Sequence, residues 1–341
     1  MMSIKYISIP TPGKVEIKET NMPVLQPGHA ILKLLYGGIC GSDLGTYRGS
    51  FLYTKYPRIP GHEFSAEIVE VADNKYGLKQ GMVVTCNPYF NCNDCYSCER
   101  GHVNCCMSNQ TMGAQRDGAF LEYISMSVER IYDGKGLTPK IVALIEPFCI
   151  SYHAAKRASI RIGERVLVVG SGTIGCLAAA AAKLMGAEVY VSDISEGKLE
   201  YAKKMGADHT FVNNGPEDFK KKVNEITNGR GFDVCIEAVG LPSTFQGCID
   251  AAAFRGKVVV VGIGKQSLDF FYSIIQTKEL DIYGSRNALK DDFTELIDIV
   301  KEGRVDLEPM ISDIFDFKDA ASAFEELNSN GSNKLKVLLK F

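Results

Sequence analysis

Up to about residue 140 the chain is built of short apolar or alternating runs broken by Gly, Pro and Asn, as in "AILKLLYGG", "FSAEIVEV", "GMVVTCNP" and "GAFLEYISMS". Runs of that length between turn residues predict strands, so this region reads as a mainly β domain. From "ERVLVVGSGTIGCLAAAAAKLMGAEVYVSD" onward the pattern changes. Helical stretches such as "EGKLEYAKKMGAD" and "STFQGCIDAAAFRG" now alternate with strand-like "GFDVCIEAVG" and "KVVVVGIG". Repeated strand, helix, strand predicts a doubly wound parallel sheet covered by helices, and an α/β protein overall. An amphipathic piece, "DDFTELIDIVKEG", precedes a tail ending "LKVLLKF", which reads as a closing strand of the first domain's sheet. The expected domains are 1–150 and 151–285, with 286–341 returning to the first. The helical spacing of "IVALIEPFCISYHAAKRA" suits a crossing at the boundary.

Composition narrows the function classes. A chain of 341 residues with 45% hydrophobic content can bury two cores. The net charge of −3 is spread over interleaved acids and bases without a Lys/Arg block, which argues against a nucleic-acid or membrane partner and for small solutes. "MMSIKYISIPTPGKVEIKET" has no apolar run of signal-peptide length, so the expected compartment is the cytoplasm. Thiols stay reduced there. An odd total of 11 cysteines also opposes complete disulfide pairing, so clustered cysteines read first as metal ligands.

"VLVVGSGTIG" places Gly170, Gly172 and Gly175 after an apolar strand, with Thr173 and Ile174 opening an Ala-rich helix. Glycines there allow a tight turn and a close approach of backbone to a pyrophosphate, whose charge sits on the helix N-terminus. "EVYVSD" ends in Asp193 about twenty residues on, where a carboxylate accepts from the ribose hydroxyls and repels a 2′-phosphate. The expected cofactor is NAD. Glu237 in "IEAVG" reads as a carboxylate stabilising a turn.

Five cysteines crowd "CNDCYSCERGHVNCC". Cys92, Cys95 and Cys98 step by three, and Cys106 follows after seven intervening residues. Four thiolates match the closed tetrahedral shell of a structural zinc better than a redox dithiol, and His102 reads as a surface histidine. Elsewhere Cys40 in "GGICGSD", His62 and Glu63 in "IPGHEF", and Glu146 in "LIEPF" interrupt apolar runs. A thiolate, an imidazole and one or two carboxylates would leave zinc an exchangeable position, as catalysis requires. Spacing alone leaves ordinary packing equally open for these residues.

Together, "GGICGSD", "PGHEFSAEIVEV", the four-cysteine lobe, "DGAFLEY", "IEPF" and "VLVVGSGTIG" resemble, in order and spacing along nearly the whole chain, the zinc-dependent medium-chain dehydrogenases. "IEPF" resembles their sorbitol dehydrogenase side, and "NCC", "ALIEPF" and "GSRNA…DDF" are similar to bacterial sugar-acid dehydrogenases. The resemblance implies a GroES-like catalytic domain carrying a zinc lobe over about 86–108, a Rossmann domain for NAD, and a dimer or tetramer. It implies two zincs per chain: a structural ion on Cys92, Cys95, Cys98 and Cys106, leaving Cys105 spare, and a catalytic ion on Cys40, His62 and Glu63 with Glu146 as further ligand or water anchor. Ser42 matches the hydroxyl that takes the substrate's proton, and Arg286 an arginine near nicotinamide and substrate. One departure stands out: many relatives have a relay histidine five residues after the zinc cysteine, where this chain has Gly45. The implied reaction is NAD-linked oxidation of a secondary alcohol in a polyol or a hexonate such as L-galactonate, L-gulonate or L-idonate. Sorbitol-type and threonine-type activities, and an NAD-binding sensor without catalysis, are the alternatives.

Overall fold

A computed structural model describes residues 2–329 and 333–341. The chain divides into two compact units: Met1–Glu146 with Leu289–Gly303 and Ile311–Phe341, and Pro147–Ala288 with Arg304–Met310. The division therefore falls after Glu146, in the first turn of the helix Ile145–Ala158, rather than at 150. Nor does all of 286–341 return to the first unit: residues 304–310 stay with the second, because Leu307 and Met310 are buried there beside the helix Glu196–Lys204.

In the second unit six strands form a parallel sheet in the order His209–Val212, Glu188–Asp193, Arg165–Val169, Phe232–Glu237, Ala252–Val260, Asp281–Gly284. The order reverses between Arg165–Val169 and Phe232–Glu237, which makes their carboxyl ends the switch point where such sheets bind dinucleotides. The apolar run of Arg165–Val169 reflects burial on both faces, with Val166, Leu167 and Val168 fully covered. Helix Thr173–Leu184 follows it and buries Ala178 to Ala182.

The first unit is built on a seven-stranded sheet with His29–Gly38 at its centre. Glu63–Val71 and Tyr123–Ser127 pair with it antiparallel. The tail does form a strand here: Lys336–Lys340 lies between His29–Gly38, antiparallel, and Ile311–Asp316, parallel. Leu32, Leu34, Phe64, Phe120, Phe324 and Leu339 fill the core. Two glycines end the central strand, and neighbouring side chains use the space they leave. A Cβ on Gly37 would lie 2.5 Å from the Phe120 ring, and one on Gly38 would lie 2.5 Å from Glu63 Oε2. The sheet thus trades side chains at these positions for an aromatic plug and a buried carboxylate. Among the described residues no helix is long and apolar enough to cross a membrane.

Candidate active site and zinc lobe

Tyr89–Phe90 and Gln110–Thr111 pair to close the base of the lobe, and the short helix Tyr96–Glu99 and a 3₁₀ turn Val103–Cys105 fold its two halves together. This brings Cys92, Cys95, Cys98 and Cys106 within 4.8 Å of one another at sulfur. Cys105 points elsewhere and is exposed. The Sγ atoms of Cys92 and Cys106 are 3.4 Å apart, and those of Cys92 and Cys98 4.0 Å. Both distances are too long for disulfides. They bracket the separation of about 3.8 Å expected for four sulfurs each about 2.3 Å from one ion. Backbone amides aim at the sulfurs, Cys92 N–H donating to Cys106 Sγ at 3.3 Å and Met107 N–H to Cys95 Sγ at 3.5 Å. Chiefly through the Met107 amide, the Cys95 thiol is held down at about 6. The donor set fits a structural zinc.

The second cluster is assembled by three local features. Cys40 is the N-cap of the helix Gly41–Arg48, and the third helical residue, Asp43, turns back to accept from the Cys40 amide at 3.0 Å. The other Asp43 oxygen accepts from Gly61 N–H at 3.0 Å, so one buried carboxylate clips the loop of Cys40 to the loop of His62. Gly61 takes φ of 97°, a left-handed turn that delivers His62 and Glu63 to the start of the strand. Cys40, His62 and Glu63 then offer ligand atoms within 4.8 Å of one another. Glu146 is not in that triangle. It is buried nearby, where Tyr89 Oη donates to its Oε1. Burial pushes the Glu146 carboxyl up to about 7, against the opposing pull of His62.

Electrostatics and hydrogen bonding both favour a cation at the triangle. His62 Nδ1 is buried without a hydrogen-bond partner. Burial alone would depress the imidazole, yet Cys40, Asp43 and Glu146 outweigh it and hold His62 well above its usual value. A divalent ion would relieve this excess of negative charge, and thiolate, imidazole and carboxylate are the donors zinc takes in open sites. Sequence reasoning missed three residues of this cluster: Asp43, Tyr89 and Lys336, whose ammonium forms a buried ion pair with Glu63. Signals existed for two of them. Asp43 stands three residues after a helix start, and Lys336 interrupts the apolar "LKVLLKF".

Ser42 lies in the first turn of Gly41–Arg48, half-buried. Gly45 is buried on the same helix, where a Cβ would lie 3.2 Å from Phe51 Cβ. A side chain there would press on Phe51, which would have to give by a few tenths of an ångström.

In the second unit the three glycines have separate duties. Gly170 adopts φ of 100° at the turn. Gly172 caps helix Thr173–Leu184 with open space where a side chain would be, leaving the backbone accessible. Gly175 lets the helix cross the turn, since a Cβ there would collide with the Gly170 carbonyl oxygen. Thr173 and Ile174 form the first turn of the helix, and Ile174 O accepts from the Ser151 hydroxyl at 2.8 Å. Asp193 ends Glu188–Asp193 and accepts from Ser171 N–H at 2.6 Å and Ser195 N–H at 2.8 Å. Glu237 binds its own turn, accepting from Val239 and Gly240 amides and from Thr244 Oγ1. Arg286 is exposed just beyond Asp281–Gly284.

Residues 26–135 match the alcohol dehydrogenase GroES-like domain, and residues 173–302 the zinc-binding dehydrogenase family. Over all 341 residues, and the full length of the relative, the chain is 33% identical to L-galactonate-5-dehydrogenase of Escherichia coli K12. The chain belongs to the zinc-dependent medium-chain dehydrogenases. Sorbitol dehydrogenase of Bacillus subtilis is 33% identical over 95% of this dehydrogenase and 94% of its own length. An alcohol dehydrogenase of E. coli CFT073 solved with NADH superposes with a TM-score of 0.91 at 29% identity, covering 99% of each chain. The dehydrogenase is an oxidoreductase of the sugar and polyol type. Its cofactors are zinc, in a four-cysteine cluster and a catalytic site, and a nicotinamide dinucleotide.

Proposed function

We propose that this dehydrogenase oxidises a secondary hydroxyl of a hexonate, of the kind represented by L-galactonate, to the ketone with NAD as acceptor. The substrate reading is carried by full-length similarity to an L-galactonate-5-dehydrogenase. Cys40, His62 and Glu63 hold the catalytic zinc, and Cys92, Cys95, Cys98 and Cys106 the structural one. Zinc bound at the triangle would act as a Lewis acid toward the substrate's hydroxyl oxygen. Asp43 keeps the two ligand loops in register. Ser42 takes the hydroxyl proton and passes it to water, since Gly45 provides no relay. Glu146, anchored by Tyr89, is a polar partner for the site, and Arg286, in the second unit, is assigned to the dinucleotide. Gly170, Gly172, Thr173, Ile174 and Gly175 seat the pyrophosphate of the dinucleotide, which supplies the hydride acceptor.

Turnover of L-galactonate, L-gulonate, L-idonate, sorbitol and threonine, followed by absorbance of the reduced nicotinamide, tests the substrate. The hexonates should have the highest kcat/KM; oxidation of sorbitol or threonine alone would overturn the hexonate reading. Asp193→Asn tests the cofactor. The amide keeps one of the two acceptors used by the Ser171 and Ser195 N–H groups, a loss common to both cofactors, while removing the charge that repels a 2′-phosphate, so kcat/KM with NADP relative to NAD should rise about tenfold, the equivalent of about 1.4 kcal/mol. An unchanged ratio would remove Asp193 from cofactor choice.

A further inference from the structure

Lys336 is fully buried in a sheet core, with its side chain and that of Glu63 each 2% exposed. The pairing register builds their contact. Glu63 opens its strand opposite Gly38, and Lys336 opens the strand whose Leu338 pairs with Gly38 from the other side. The missing Gly38 side chain leaves the volume where they meet: a Cβ there would lie 2.5 Å from Glu63 Oε2 and 3.3 Å from Lys336 Cδ. Lys336 Nζ donates to that Oε2 and, at 3.3 Å, to the carbonyl of Ile39, the residue before Cys40. Glu63 therefore belongs to two assemblies at once, the donor triangle with Cys40 and His62 and an ion pair sealed from water.

We propose that Lys336 is a positioning residue that competes with zinc for Glu63, keeping the contact between Glu63 and the metal exchangeable so that the substrate hydroxyl can take its place. This rests on the assignment of Cys40, His62 and Glu63 as zinc ligands. A carboxylate held only by the metal would be a strong, permanent donor. An ammonium in contact with the same carboxylate withdraws donor strength and offers the group a second resting place within the same pocket. A purely structural role fits poorly, because a buried ion pair adds little stability over apolar side chains of like volume. Ser65, two residues on, and Leu338 show that this stretch of sheet readily buries small and apolar residues.

The test uses the zinc-loaded full chain and two readouts: the rate at which catalytic zinc passes to a chromogenic chelator, and kcat. K336M should release that zinc about tenfold more slowly and turn over about tenfold more slowly, the lower end of what residues behind the ligands do. K336R should restore both towards the wild-type values. In an E63Q background, K336M should change neither. Zinc release from K336M as fast as or faster than wild type would overturn the proposal, as would the same slowing in the E63Q background. Should K336M not fold, K336Q keeps a donor to Glu63 and Ile39 without the charge and carries the same expectation. A wild-type protein with no zinc that depends on Cys40 would instead remove the ligand assignment itself. Zinc bound through Cys40 with unaltered release in K336M and K336Q defeats this inference alone.

Discussion

Cys40→Ser is expected to lower kcat by about a thousandfold while leaving the fold intact. The triangle would lose its thiolate, the softest of its donors, and with it the Lewis acid, whose stabilisation of developing charge is several kcal/mol, equivalent to about three powers of ten. The fold should tolerate the change for a local reason. Cys40 is half-buried at the N-cap of Gly41–Arg48, and serine is among the best N-cap residues. Thermal unfolding should therefore shift by no more than a few degrees. Kinetics with the best substrate and a melting curve of the same preparation check both halves; full activity, or lost activity only through unfolding, would contradict the assignment.

Cys106→Ser should do the opposite. Its sulfur is fully buried at the centre of the lobe, accepting from Cys92 N–H and 3.4 Å from Cys92 Sγ. Three thiolates hold zinc far less tightly than four, and binding free energy at such a site is folding free energy. A loss of several kcal/mol would lower the melting temperature by roughly five degrees at this chain size. Protease cleavage should appear within residues 86–108, with turnover at low temperature persisting in the molecules that remain folded. Cys105→Ser, one position away on an exposed side chain, should melt like wild type. Equal effects at the two positions would sink the account of the cage.

Much of this organisation was legible in the chain. The fully apolar "RVLVV" before three glycines marked a strand buried on both faces, and the run of alanines marked the helix that packs on it. The four-cysteine spacing could be read because all its ligands come from one short loop. The second cluster was harder. Cys40, His62 and Glu146 are far apart in sequence, and antiparallel pairing of the strands around Gly38 is what brings Glu63, the neighbour of His62, onto Lys336. The start of a helix announces Asp43 as a partner of the Cys40 amide, but its contact with Gly61 and that of Tyr89 with Glu146 join residues distant in sequence, which no local pattern announces. The domain boundary moved for a similar reason: Leu307 and Met310 are ordinary apolar residues whose unit is decided by what buries them. Gly45 reads in the sequence as a missing relay histidine. In the fold, a side chain at that position would press on Phe51.

Zinc per chain, measured on wild type beside Cys40→Ser and Cys106→Ser, bears most directly on the claim that one chain carries two zinc sites with different work. The account predicts close to two ions in wild type and about one in each variant, with the ion left in Cys40→Ser supporting stability and the ion left in Cys106→Ser supporting turnover. A single ion in the wild-type chain, or two retained by Cys40→Ser, would contradict it.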